Sequence, residues 1–318
     1  MTAQAPYDAL SPDLVLDAVE VAGFATDGRL LALASYENRV YQVGIEDGSP
    51  LVAKFYRPAR WSDAAIAEEH AFALELAAAE LPVVAPLVID DETLLEHAGF
   101  RYALYPRRGG RAPELESIDN LAWMGRLLAR LHGIGSRERF RSRGAIETDT
   151  FIREAARAAL ASGLLPARLE AIYRERTGAI AGLIDARFGA IEPARIRLHG
   201  DCHGGNVLWT DSGPHFVDLD DARMGPAVQD LWMLATNPRA LDLLLEGYAE
   251  FRDFDRRELA LIEPLRLMRQ VHYAGWIAQR WDDPAFPRAF PFASEPHWWE
   301  QHVTDLYEAA ERLTEFPE

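Results

Sequence analysis

Residues 198–209 read LHGDCHGGNVLW, and residues 216–221 read FVDLDD after a short polar turn. The first stretch is a glycine-rich loop that leads into a short apolar strand, and the second is an apolar strand that ends in carboxylates. Antiparallel pairing of the two strands would bring Asn206 and Asp218 together as oxygen ligands suited to Mg²⁺. Asp201 would face the same space as a carboxylate able to accept a hydroxyl proton. Phosphoryl transfer asks for such positioning and for charge neutralisation.

The sequence upstream of this region predicts a small antiparallel sheet with two helices. Ser11 and Ser62 have the side chain and the sequence context of helix N-caps, and the second helix should run to about Glu80. The linker expected after the sheet is Arg107–Pro113, which contains two adjacent glycines. Short segments rich in apolar, β-branched and aromatic residues predict the strands, namely Leu30–Ser35, Arg39–Ile45, Leu51–Tyr56, Thr93–Glu96 and Phe100–Tyr105.

The rest of the chain is predicted to be mainly helical, with a strand-rich insert at Ile196–Asp218. Helical spacing of apolar residues marks Ile118–Gly133, Thr148–Leu160, Pro166–Phe188 and several segments after Gly225. The expected fold class is therefore α+β with two lobes. A small β-rich lobe (residues 1–106) would precede a larger helical lobe (residues 107–318), and ligands would bind in the cleft between them.

Composition excludes several classes of protein. The 318 residues carry a formal net charge of −17, which would repel a nucleic-acid backbone. No apolar run reaches the length of a membrane span, no secretory signal is visible at the N-terminus, and the one cysteine excludes an internal disulfide. We expect a monomer in the cytoplasm that binds neither nucleic acid nor membrane. A polyanionic ligand would need a dedicated cationic pocket and a metal ion.

The motif region resembles a known family. His199-Gly200-Asp201, with Asn206 five residues later and Asp218 after the next strand, resembles the catalytic loop and metal-binding aspartate of aminoglycoside-phosphotransferase-like kinases, in which Gly replaces the usual Arg. VDLDDAR at 217–223 and GPAVQDLW at 225–232 are similar to bacterial serine/threonine protein kinases of that family. The resemblance implies a two-lobed protein-kinase-like fold, in which residues 1–106 bind the nucleotide and residues 107–318 carry catalysis and substrate. It implies ATP and Mg²⁺ as cofactors, and autophosphorylation. It also implies phosphorylation of protein Ser and Thr in a bacterial stress response.

The resemblance assigns a role to each matching position. Asp201 would be the catalytic base, and Asn206 and Asp218 would hold Mg²⁺, with Asp218 also counted as catalytic. Lys54, in a Val-Ala-Lys sequence on the third strand, would hold the α and β phosphates of the nucleotide. Glu69 on the following helix would be the acidic partner of that lysine.

Further cofactor contacts follow from the same resemblance. Ser35 occupies the turn that covers the nucleotide and would contact phosphate, although this turn lacks the glycines of most protein kinases. Ala103, Leu104 and Tyr105 match the hinge, whose backbone would take the edge of adenine. His203 stands two residues past the base, where protein kinases carry a phosphate-contacting lysine.

Several of these residues have simpler interpretations. Lys54 could be a solvated lysine on a sheet edge, and Glu68 could replace Glu69 as its partner. His199, Cys202 and His203 could be zinc ligands together with a carboxylate, but no second cysteine or distant histidine pair completes the set. We instead expect His199 to pack beneath the loop with a hydrogen bond to backbone, and Cys202 to be a small packed side chain.

Other polar and aromatic residues have two possible roles each, one functional and one structural. Asp230 could be a helix N-cap or, as the resemblance implies, an anchor for the backbone of the catalytic loop. Asp220 and Asp221 could be neighbours of the metal or simply solvated. A group of aromatic residues after Val271 could line the acceptor side of the cleft, although core packing is the more common role; it comprises Tyr273, Trp276, Trp281, Trp298 and Trp299.

The sequence leaves the phosphate acceptor open. A serine/threonine protein kinase is the first hypothesis, and a kinase for a small hydroxyl compound, such as an amino alcohol or an aminoglycoside, is the second. The acidic surface would suit cationic small substrates as well as basic protein segments, so charge does not separate them. A non-catalytic nucleotide-binding protein is disfavoured because no expected catalytic residue is missing.

Overall fold

A computed structural model describes residues 6–315 of the chain. The described residues form two compact units. The first unit contains the residues up to Gly144 together with Ile196–Met224 and Asp230–Phe254, and the second contains Ala145–Arg195, Gly225–Gln229 and the residues from Asp255 onward. The division into nucleotide-binding and catalytic lobes after Pro106 stays a prediction.

The first unit opens with a helix and a five-stranded antiparallel sheet whose order is β1-β2-β3-β5-β4. Helix α1 (Pro12–Val21) begins where Ser11 accepts a hydrogen bond from the N–H of Leu14, as expected for its N-cap. The antiparallel sheet predicted from sequence is thus confirmed, with strand ends shifted by up to four residues. The strands are β1 (Thr26–Ala32), β2 (Arg39–Ile45), β3 (Leu51–Phe55), β4 (Leu95–His97) and β5 (Phe100–Pro106).

Alternation along β3 decides which side chains reach the pocket described below. Ala53 and Phe55 point into the hydrophobic core of the sheet, where Phe55 stacks on Tyr102 with ring centroids 5.3 Å apart. Lys54 lies between them in sequence and therefore points to the opposite face of the sheet. Helix α2 (Asp63–Ala78) follows β3 in the chain and precedes β4. It is capped by Ser62, as predicted, and carries Glu69.

The strand-rich insert predicted within the helical part is confirmed. A short strand β6 (Ile196–Leu198) is followed by the hairpin of β7 (Val207–Thr210) and β8 (Gly213–Phe216), and β9 (Arg223–Gly225) pairs with β6. Val207 pairs with Phe216 in the hairpin, and the N–H of Val217 donates to the carbonyl of Asn206 at 3.0 Å. The hairpin therefore places Asn206 and Asp218 at the same end of two adjacent strands.

Helices α3 (Ile118–Gly135) and α7 (Pro238–Ala249) pack closely within the first unit. A Cβ at Gly125 would lie 2.0 Å from the carbonyl oxygen of Leu244, and one at Gly247 would lie 2.1 Å from that of Ala122. Glycine is required at both positions because the two backbones approach so closely. This pair of helices supports the catalytic region through His132, which lies on α3.

The second unit is helical, and its aromatic residues form much of its core. The predicted helix at Thr148–Leu160 begins as a π-helical turn at Asp149–Glu154 before it becomes α4. Trp299 and Phe286 are fully buried, whereas Tyr273 is 41% exposed. The remaining helices are α4 (Ala155–Ala161), α5 (Glu170–Ile191), α6 (Val228–Trp232, which runs into the first unit), α8 (Ile262–Gln279), α9 (Ala285–Ala289) and α10 (Pro296–Glu315).

The fold class predicted from sequence is confirmed: a small antiparallel sheet precedes a mainly helical remainder. Within residues 6–315, no helix is both long and apolar enough to cross a membrane.

Candidate active site

A pocket of about 330 Å³ lies between the five-stranded sheet and the β7–β8 hairpin, within the first unit. It brings together six residues predicted from sequence, namely Ser35, Lys54, Glu69, Tyr105, Asn206 and Asp218. The others that line it are mainly apolar residues from both sides. They are Leu33, Ala34, Val40, Val52, Val84, Pro106, Arg108, Gly205, Leu208, Val217 and Leu219.

Lys54 is buried in this pocket and is not a solvated edge lysine, since only 6% of its surface is exposed. Its ammonium donates to Oδ1 of Asp218 at 2.8 Å and lies 3.4 Å from Oδ1 of Asp220. Burial alone would lower the pKa of this lysine, but the two aspartates outweigh burial and raise its pKa well above the usual value. Lys54 is therefore a fixed cation at physiological pH, held where an anionic ligand would enter.

Glu69 and Glu68 occupy different surroundings. Glu69 is 2% exposed and lines the pocket, but it makes no ion pair with Lys54. Burial raises its pKa to about 7, against the opposing charges of Lys54 and Arg143. Glu68 points away and accepts the backbone N–H groups of residues 141–143 at 2.8–3.1 Å. Glu68 is therefore excluded as the partner of Lys54, and the direct Lys54–Glu69 pair expected from the resemblance is not formed.

Asn206 and Asp218 supply two oxygen ligands of the kind that hard cations prefer. Asn206 donates its Nδ2 to the carbonyl of Asp201 at 3.0 Å, which leaves Oδ1 as an acceptor facing the pocket. The side chain of Asp218 is 54% exposed. Its backbone has φ 59° and ψ 63°, a left-handed conformation that aspartate tolerates better than most residues. The donor set thus fits a divalent cation.

Asp201 lies on the loop between β6 and β7. Its Oδ2 lies 3.4 Å from Nε2 of His203, whose Nδ1 accepts the N–H of Gly205 at 2.9 Å. His203 is therefore held by the loop backbone with its other ring nitrogen towards Asp201. This contact places His203 beside the predicted base. Its predicted contact with phosphate stays a prediction.

Asp230 anchors the loop between β6 and β7 (residues 199–206), which we call the catalytic loop. The N–H groups of His199 and Gly200 both donate to its carboxylate at 2.9 Å, and Nε2 of His132 lies 3.1 Å from Oδ2. Asp230 is fully buried. It therefore anchors the loop backbone, as the resemblance implied, rather than acting as a helix N-cap.

The zinc alternative is not supported by the geometry. Nε2 of His199 contacts the carbonyl of Val217 at 3.0 Å, and Cys202 is fully buried. Among the described residues, no group of three or more His, Cys, Asp or Glu side chains could hold a metal ion. His199 and Cys202 are packed residues, as expected.

The predicted hinge residues lie on β5 and differ in their access to the pocket. Ala103 and Leu104 are fully buried inside β5. Ala103 is paired with β3, and the carbonyl of Leu104 accepts the N–H of Leu87 at 2.7 Å. Of the three predicted hinge residues only Tyr105 lines the pocket, together with Pro106 after it. The contact of their backbone with adenine stays a prediction.

Sequence reasoning missed a buried polar network around Asp220. This residue is 3% exposed, so it is not solvated. It contacts Lys54, the amide of Asn38 at 3.0 Å and the guanidinium of Arg60. Burial alone would raise the pKa of Asp220, but Arg60 and Lys54 lower it to about 2. No local pattern marks Asn38 or Arg60, because each contacts Asp220 across more than 150 residues of chain.

Comparisons with known proteins agree with this geometry. Residues 29–262 match the model of the phosphotransferase enzyme family. Stress response kinase A of Escherichia coli is 43% identical over 316 residues, covering 98% of this chain and 96% of that protein. The serine/threonine protein kinase RdoA of Salmonella typhimurium has the same identity and coverage.

Solved structures share the fold at low identity. An amicoumacin kinase in complex with AMP-PNP, Ca²⁺ and Ami has a TM-score of 0.69 and 17% identity, with 91% of this chain and 92% of that chain covered. A microcompartment-associated aminopropanol kinase has a TM-score of 0.66 and 17% identity, with 91% and 97% covered.

Proposed function

This chain belongs to the phosphotransferase enzyme family, and we propose that it is a serine/threonine protein kinase that uses ATP and acts as a cytoplasmic monomer in a bacterial stress response. As a family member it is a kinase that transfers phosphate to a hydroxyl. Our proposal adds that the hydroxyl belongs to a protein and that the kinase phosphorylates itself. One observation carries the proposal: a single pocket joins the buried cation Lys54 to the oxygen ligands Asn206 and Asp218.

We propose Mg²⁺ as the metal held by Asn206 and Asp218. Held by these two residues, a divalent ion would supply neutralisation of the charge that develops on the phosphates during transfer. Lys54 would hold phosphate oxygens from the sheet side of the pocket. Asp201, oriented by His203, would accept the proton of the attacking hydroxyl.

The names of the relatives favour a protein acceptor, since one of them is called a serine/threonine protein kinase. The solved neighbours point to a different class of acceptor, because they are named as kinases for amicoumacin and for aminopropanol. A small-molecule hydroxyl kinase is therefore the second candidate, and an experiment has to separate the two.

The test offers ATP labelled at the γ-phosphate to the protein alone, to a generic basic protein, and to a panel of amino alcohols and aminoglycosides. We expect label on the protein itself and on the basic protein. Transfer to small compounds alone would contradict the proposed acceptor and leave the kinase assignment intact.

The matched variants are Asp201→Asn and Asp211→Asn, since Asp211 is an exposed acid in the β7–β8 turn. Asp201→Asn should lose about 10²- to 10⁴-fold in turnover, because a general base is removed. Its affinity for Mg²⁺-AMP-PNP, measured by calorimetry, should stay near that of the wild type. Asp211→Asn should behave as the wild type in both assays. Normal turnover in Asp201→Asn would remove that residue from the mechanism.

A further inference from the structure

Asp220 is the one buried carboxylate of the described residues that touches both Lys54 and the loop over the pocket. We call residues 33–38, between β1 and β2, the covering loop; Ser35 lies at its centre. Asn38 ends this loop and is 3% exposed. Its Nδ2 donates to Oδ2 of Asp220 at 3.0 Å, while its Oδ1 accepts the N–H of Arg57 at 3.1 Å. The end of the covering loop is therefore tied to Asp220.

Two arginines hold the neighbouring residues of the covering loop. Arg57 donates to the carbonyls of Tyr36 and Glu37 at 3.2 and 2.9 Å, and pairs with the carboxylate of Glu37 at 3.0 Å. Arg60 lies 3.7 Å from Glu37 and contacts Asp220 directly. Asp220 is therefore connected to the second half of the covering loop, from Tyr36 to Asn38, through Asn38 and Arg60.

Lys54 needs a carboxylate partner that keeps its position and its ion pair when the nucleotide and the metal ion bind. Asp218 is the nearer partner, but its side chain is 54% exposed and it is the proposed metal ligand. The side chain of Asp220 is 5% exposed and is held by Arg60 and Asn38, so it stays in place. Glu69 makes no ion pair with Lys54, and its Oε2 has no hydrogen-bond partner.

We propose that Asp220 is the positioning residue of this site, which orients Lys54 and fastens the covering loop over the nucleotide, in the place that the family resemblance assigns to Glu69. The inference rests on the proposed function, because it requires that the pocket binds a nucleotide. Asp220 acts through Lys54 and the covering loop and does not itself touch the reacting atoms.

The experiment measures the affinity for Mg²⁺-AMP-PNP by calorimetry, which needs no knowledge of the phosphate acceptor. Asp220→Asn removes the charge and keeps the shape, and Glu69→Gln makes the same change in the rival residue. Asp47→Asn, in the exposed β2–β3 turn, is the surface control. We expect Asp220→Asn to weaken binding at least tenfold, Glu69→Gln to weaken it less, and Asp47→Asn to leave it unchanged.

A double-mutant cycle separates positioning from a general loss of structure. If Asp220 acts through Lys54, the effects of Asp220→Asn and Lys54→Met on affinity should be strongly non-additive, whereas Glu69→Gln and Lys54→Met should add. A melting curve for each variant shows that it is folded. Should Asp220→Asn fail to fold, Asn38→Ala cuts the tie to the covering loop instead and should also weaken binding at least tenfold.

The outcomes are distinct. If the wild type binds no Mg²⁺-AMP-PNP, the proposed function fails and this inference falls with it. If the wild type binds and folded Asp220→Asn, or Asn38→Ala in its place, binds within twofold of it, only the role of Asp220 is refuted. A larger loss in Glu69→Gln, or additivity between Asp220→Asn and Lys54→Met, would equally overturn it.

Discussion

At the scale of single residues, burial decides which acids of the pocket carry a charge. Asp220 is buried among cations, and their charges hold its pKa at about 2. Glu69 is buried with fewer compensating partners, and desolvation raises its pKa to about 7. Two acids that look alike in the sequence therefore differ in ionisation near neutral pH, because a charge buried without a close partner is costly.

Glu69 should impose a pH dependence on stability. Its pKa rises from 4.5 in the unfolded chain to about 7 in the folded one, so the folded state keeps a proton that the unfolded state has lost. Stability should then fall as pH rises from about 4.5 through about 7. Glu69→Gln removes this decline, and we expect the variant to gain ~2.5 kcal/mol relative to the wild type between pH 5 and pH 8.

Urea unfolding at the two pH values measures this gain, with Glu96→Gln as the control because Glu96 is exposed on β4. Equal differences between wild type and Glu69→Gln at both pH values would show that Glu69 titrates as an ordinary surface acid.

At the scale of elements, the catalytic loop and the segment after Asp218 are packed against each other through Gly200. The backbone of Gly200 has φ +85°, and a Cβ there would lie 2.1 Å from the carbonyl oxygen of Asp221. Glycine is required by both conformation and space. The arginine that most protein kinases carry at this position would not fit. The close packing of these two segments therefore requires glycine here.

Gly200→Ala should therefore cost more than an ordinary substitution at positive φ. Gly163 has φ +74° with nothing within 4 Å of an added Cβ, so Gly163→Ala isolates the conformational cost of about 1–2 kcal/mol. Gly200→Ala should lose that amount and a further ~1–3 kcal/mol from overpacking against backbone, and its turnover should fall because Asp201 is next in sequence. Thermal unfolding and initial rates measure both effects, and equal losses in the two variants would contradict the close approach.

At the scale of the whole molecule, the arrangement indicates a kinase that needs no phosphorylation near its active site. Residues 219–229 contain no Ser, Thr or Tyr. In many protein kinases a phosphate in this segment pairs with arginine. Here the carboxylate of Asp221 takes that place, since it pairs with Arg60 at 2.9 Å and with Arg223 at 2.6 Å. The segment is held by permanent charges.

We therefore expect full activity without modification. Protein expressed together with a broad phosphatase, and shown by mass spectrometry to be unmodified, should give a linear initial rate. Protein prepared without the phosphatase is the matched control and should have the same rate within about twofold. A lag that shortens as autophosphorylation accumulates would contradict this expectation.

The sequence by itself determined the fold class and the part of the site that lies close together along the chain. Asp201 and Asn206 share one loop, and Asp218 follows after a single hairpin, so their proximity results from strand pairing that local patterns predict. The family resemblance was also enough to point to Lys54, whose environment is unlike that of a surface lysine.

Only the tertiary structure decided which acid accompanies Lys54. The candidates Glu69 and Asp220 lie far apart in sequence, and the contacts of Asp220 with Asn38 and Arg60 span 182 and 160 residues. Neither a periodic pattern nor a spacing distinguishes acids that meet a lysine only after two distant segments have folded together. The burial of Ala103 and Leu104 has the same origin, because it depends on pairing with β3 and on the segment at Leu87. Burial and charge at this site arise from packing between distant segments, and no single stretch of sequence determines such packing.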